Sequence, residues 1–74
     1  MTLEEKAKKI GEEIDRWVGE TGMITPILRA LEDACYNTAQ HLEENWQDGH
    51  SAGYWTRAGQ GIARLAAQLE GLGI

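Results

Sequence analysis

A single cysteine in a chain of 74 residues has no second thiol to pair with, so an intramolecular disulfide is unavailable to a scaffold small enough to want one. Placed among apolar neighbours, Cys35 reads as a small core residue in a reducing cytosol, not as a nucleophile. Phenylalanine is absent, which leaves three tryptophans to supply much of the bulk of any core. Proline occurs once, at Pro26. No apolar run approaches the about 20 residues a membrane helix needs, and Met1 to Glu5 carries acids where a secretory leader needs basic residues. A cytoplasmic location, away from membranes, is therefore expected. Cations are also few: seven Lys and Arg face twelve Asp and Glu, for a net charge of -5. That balance disfavours nucleic acid and anionic membranes as partners, and favours solubility or a basic protein surface. The chain lacks a nucleotide-binding loop, a nucleophile elbow, zinc-ligand spacing, a calcium loop and a sustained heptad. Catalysis is not expected, and no cofactor is implied.

What the chain does contain is helical periodicity, three times over, in one domain. Thr2 followed by Glu5 forms a capping box, and Leu3, Ala7, Ile10, Ile14, Trp17 and Val18 then recur at three- and four-residue steps, predicting a helix over about 3–18 closed by Gly19 and Gly22. Thr25-Pro26 pairs a capping residue with the residue suited to a first helical turn, predicting a second helix over about 26–47 with Gly49 at its C-terminal cap. Its apolar arc, running from Ile27 and Leu28 through Leu31, Cys35, Ala39 and Leu42 to Trp46, is broad enough for more than one neighbour. Ser51 reads as the cap of a third helix over about 52–70, with Trp55, Ile62, Leu65 and Leu69 on one face and Gly59 where another helix could approach closely. Short connections favour antiparallel neighbours. The expected fold is an all-α, antiparallel three-helix bundle with Trp46 and Trp55 together at one end. A splayed helix 2–helix 3 hairpin completed by homodimerisation satisfies the same pattern.

Candidate functional residues cluster on the second helix. Glu43, Glu44 and Asp48 stand at its C-terminal end, where the helix dipole favours cations, and with Glu32 and Asp33 they could form an acidic surface for a basic partner. Helical spacing places Tyr36 among polar residues as a candidate contact aromatic. Arg57 and Arg64 of the third helix could neutralise the acids or join the same surface. His41, Glu44 and Asp48 have spacing compatible with a metal but lack ligands from a facing helix. Thr56, Arg57, Gln60 and Arg64 are residue types that read bases and phosphates, yet residues 23–49 pair one cation with five acids, which opposes a helix-turn-helix role. The reading that remains is a small acidic protein-binding module that self-associates. It would act as an accessory or assembly subunit, or as an inhibitor of a larger machine. One form of the latter is a phage or mobile-element inhibitor of a host nucleic-acid enzyme, anti-CRISPR-like, whose acids stand in for phosphates. A DNA-binding protein and a metal-binding helical protein are the further alternatives.

Overall fold

The structure is a computed structural model that describes residues 2–74. It is all-α, a small three-helix bundle with α1 at Leu3–Thr21, α2 at Thr25–Trp46 and α3 at Gly49–Gly71, and no strand among the described residues. The first helix starts on one half of the expected capping box, the Thr2 hydroxyl oxygen accepting from the Glu5 N–H at 3.2 Å. It runs past Gly19 because a mid-helix glycine costs about 1 kcal/mol without blocking the helix. It stops at Gly22, whose φ of 69° is the left-handed conformation that glycine adopts freely. The turn is then fixed from both sides. Trp17 Nε1 donates to the Met23 carbonyl at 2.9 Å, and the Thr21 hydroxyl accepts from the Met23 N–H at 3.1 Å.

The second helix is capped differently from the Thr25-Pro26 expectation. Ile24 is the cap residue and makes no side-chain bond, Thr25 is already helical, and the main-chain oxygen of Ile74 accepts from the N–H groups of Ile24 and Thr25 at 2.8 and 3.1 Å. A cap supplied from fifty residues away leaves no local trace in the sequence. At the other end Gln47 takes the left-handed conformation, φ 50° and ψ 35°, which was expected of Gly49. Gly49 instead opens α3, and Asp48 rather than Ser51 caps that helix, accepting from the Ser51 N–H at 3.0 Å. Because a non-glycine residue is strained at Gln47, replacing it with glycine should raise stability by about 0.5–1 kcal/mol, read as a higher urea midpoint at unchanged slope. A lowered midpoint would show that the Gln47 side chain contributes more than its backbone costs.

Packing is concentrated between α2 and α3. Their contacts run in opposite senses, Ile24 with Ile74, Arg29 with Glu70 and Tyr36 with Gly59, so the pair is an antiparallel hairpin joined by two residues. The buried seam consists of Cys35 and Ala39 of α2 and Ala52, Gly59 and Ala66 of α3, with Thr25 beside it; no large side chain is fully buried among the described residues. Bulky apolar groups lie outside that seam: Leu31 is 48 % exposed, Leu65 46 % and Trp46 70 %. Trp46 and Trp55 lie at the same end of the hairpin, on either side of its connection, and Trp55 makes an edge-to-face contact with Tyr54, ring centres 5.9 Å apart. The first helix buries none of its residues, and Leu3 at its start is 84 % exposed.

The dimensions follow from this distribution. The chain measures 41 × 36 × 13 Å, so it is thin in one direction and far wider in another than the about 10 Å spacing of two packed helices. Its radius of gyration, 14.5 Å, exceeds the about 11 Å of a compact chain of this length. Its accessible surface is 5648 Å², against about 4,500 Å² for a compact protein of that mass.

Candidate functional site

Successive residues of a helix are turned by about 100°, so the small residues at the seam fix where every other side chain on the hairpin points. Ile27 and Leu31 of α2 fall on the same side of the seam as Ile62, Leu65 and Leu69 of α3, giving one apolar broad face. The opposite face carries Arg29, Glu32, Tyr36 and Gln40 from α2 with Thr56 and Gln60 from α3. The two faces of the hairpin thus differ sharply in chemistry. The sequence candidates divide between the polar face and the outer edges of the two helices.

Tyr36 is not a free surface aromatic. It is half-buried, with its ring laid over Gly59 so closely that a β-carbon at that position would stand 2.6 Å from Cε1. The glycine that sequence spacing marked for close helix approach is occupied by this ring. Glu32 is likewise engaged, accepting from Arg29 Nη1 at 2.8 Å. Arg29 also grips Glu70 with two nitrogens, Nε at 3.2 Å and Nη2 at 2.5 Å, a bidentate clamp from the start of α2 to the end of α3. Asp48 is occupied as the α3 cap. Glu44 accepts from the Gln40 amide at 3.0 Å but remains exposed, as do Asp33 and Glu43. Arg57 and Arg64 are exposed and make no ion pair; among the described residues the only ion pairs are those of Arg29. The acidic residues left open are therefore Glu43, on the polar face of α2, and Asp33 and Glu44, toward its outer edge.

Charge state follows these contacts. The Arg29 hydrogen bonds hold the Glu70 carboxyl below its ordinary 4.5, and the Ser51 backbone N–H lowers Asp48 below its ordinary 3.8. Glu70, and then Glu32, hold the Arg29 guanidinium more firmly protonated than in a free chain. Because a carboxyl lowered by folding binds fewer protons folded than unfolded, its contribution is complete above the ordinary value and is lost as pH falls. Thermal stability should accordingly decline as pH drops below about 4.5, and Glu70→Gln should remove the upper part of that decline, leaving the part due to Asp48. With 39 % and 45 % of the Arg29 and Glu70 side chains exposed, water screens the pair and the effect is moderate. An identical pH profile in Glu70→Gln would show that the clamp does not outlast solution conditions.

His41 and Glu44 do not gather a metal set: among the described residues no three His, Cys, Asp or Glu side chains stand close enough to hold an ion. The His41 ring is instead flanked by the Asn45 amide at 3.0 Å and by Trp46 Nε1 at 3.4 Å. Of the residues considered for reading bases, Thr56 is half-buried and donates its hydroxyl to the Ala52 carbonyl at 3.0 Å. α2 and α3 also lie antiparallel, not crossed as in a helix-turn-helix. No pocket is enclosed by the described residues, and no helix is long and apolar enough to cross a membrane. Sequence reasoning missed the Arg29–Glu70 clamp, whose members are 41 residues apart, and undervalued Asp48, whose type caps helices as well as serine does. Comparison with protein-family models, with curated proteins and with solved structures yields no match for this chain.

Proposed function

We propose that the chain is a cytoplasmic protein-binding module, an assembly or accessory subunit whose apolar hairpin face takes another polypeptide while its acidic α2 edge faces outward toward basic partners. One observation carries the reading. Small residues line the seam between α2 and α3 and large apolar ones stand outside it, the reverse of a self-sufficient core. An apolar face of this extent on so small a chain marks a docking surface. The inhibitor reading, with acids replacing phosphates, draws on Asp33, Glu43 and Glu44 alone, because Glu32 and Asp48 are already committed within the fold.

The test is recovery of the chain's native assemblies from its own cell extract, sized and identified by mass spectrometry, for three forms of the protein. Wild type and Glu43→Lys/Glu44→Lys should enter the same assembly, and Leu31→Asp/Leu65→Asp should not. The opposite pattern, binding abolished by charge reversal and untouched on the apolar face, would establish phosphate mimicry instead. A chain recovered alone in every form would overturn the module reading altogether.

A further inference from the structure

We infer that the apolar hairpin face is covered by α1 of a second copy of this chain, in a reciprocal two-fold clasp; the inference rests on the docking face proposed above. Area is the first argument. The single chain exposes 5648 Å², about 1,100 Å² more than a compact protein of its mass, while a stable interface removes about 800 Å² from each partner and obligate homodimers remove more. The surplus is therefore the size of one homodimer interface. It is also distributed as such an interface demands, on two elements that leave each other uncovered.

The first of these elements is α1. Leu3, Ile10, Ile14 and Trp17 form a stripe along it, yet the helix buries no residue within its own chain. Helices in proteins draw most of their stability from packing an apolar face, so this stripe calls for a surface to lie on. The second element is the face bearing Leu31, Ile62 and Leu65. An α1 that turned back on its own hairpin would make the chain compact; its 36 Å width shows that α1 extends outward instead, where a neighbouring copy can receive it. Two-fold symmetry lets each copy give its stripe and take the other's, so both surpluses are consumed at once.

The chemistry of the two surfaces is the second argument. The α1 stripe and the hairpin face are both apolar, whereas the open acids Asp33, Glu43 and Glu44 stand on the other side of α2 from that face, and α1 mixes Lys6 and Lys9 with Glu13 and Glu20 beside its stripe. Burial of apolar surface, not charge, therefore joins the copies.

The purified full chain decides the matter by sedimentation equilibrium and by isotope-filtered NMR on an equal mixture of labelled and unlabelled protein. The clasp requires a mass twice 8.2 kDa and intermolecular contacts linking Ile10 or Ile14 methyls to Ile62 or Leu65. Ile10→Asp should weaken the dimer by at least about 100-fold, because each substitution acts twice across a two-fold interface, and should lower the helical circular dichroism signal as α1 loses its support. Gln40→Ala, on the polar face, should leave the mass unchanged. A monomer at every concentration overturns the clasp while leaving the module reading intact, since the face is then free for a different protein. A dimer whose intermolecular contacts exclude α1 also overturns it.

Discussion

Gly59→Val should lower the free energy of unfolding by about 2–3 kcal/mol, measured by urea denaturation, with a parallel fall in melting temperature. A β-carbon there would meet Cε1, Cδ1 and Cζ of Tyr36 at 2.6, 2.9 and 3.1 Å. Three atoms of one rigid ring cannot be relieved by moving a flexible tip, so either the ring swings out or the helices part. Valine adds two further methyls to the same space. The better helix propensity of a non-glycine residue returns at most about 1 kcal/mol, which is too little to reverse the sign. For a domain of this length, stable by about 4–11 kcal/mol, the loss is a large share of the whole. The double variant Gly59→Val/Tyr36→Ala separates the clash from other causes. It should be less destabilised than the two single effects added together, because the collision occurs only once. A Gly59→Val protein as stable as wild type would show that the Tyr36 ring does not set the helix spacing.

Removal of residues 72–74 should cost about 2 kcal/mol, because the N–H groups of Ile24 and Thr25 lose the oxygen that accepts from them. Water can reach Ile24, but Thr25 is 4 % exposed, and an unsatisfied donor there keeps most of its desolvation cost. The turn that delivers this oxygen depends on Gly73 at φ 81°, held by the Gly73 N–H to the Glu70 carbonyl and the Ile74 N–H to the Leu69 carbonyl. Gly73→Ala should reproduce part of the loss, about 1 kcal/mol, while retaining every atom of the cap. Amide exchange at Thr25 reports the event directly: protected in the intact chain, it should become fast after truncation. Continued protection would mean that another acceptor replaces Ile74.

Helix number and class were legible in the sequence because they rest on local signals. Thr2 with Glu5, the repeat of Leu3, Ile10 and Trp17, and the breadth of the α2 arc each lie within a few turns of chain. Ends proved harder. Gly49 and Ser51 have the right chemistry for a cap and a start, but with only two residues between the helices Gln47 and Asp48 take those places instead. The seat of the Tyr36 ring was not legible for a related reason. Periodicity gives the direction in which a side chain leaves its own helix, and that direction does run along the polar side; it does not reveal that a glycine on α3 opens a recess for the ring. The Arg29–Glu70 clamp and the Ile74 cap join the first turns of α2 to the end of the chain, more than forty residues away in sequence, so neither exists until α2 and α3 have met.

Ala52, Gly59 and Ala66 recur along the α3 seam at intervals of seven residues. Sliding α3 along α2 by one such interval, about 10.5 Å, would exchange one small residue for another and leave the contact surface almost unchanged. Smooth rails of this kind hold two helices close without saying where along their length they should stop. Only one of the three positions lacks a β-carbon, and only there can the Tyr36 ring be seated. The missing methylene of a single glycine thus acts as a detent within the seam, reinforcing the alignment that the two-residue link and the Arg29–Glu70 clamp impose from its two ends.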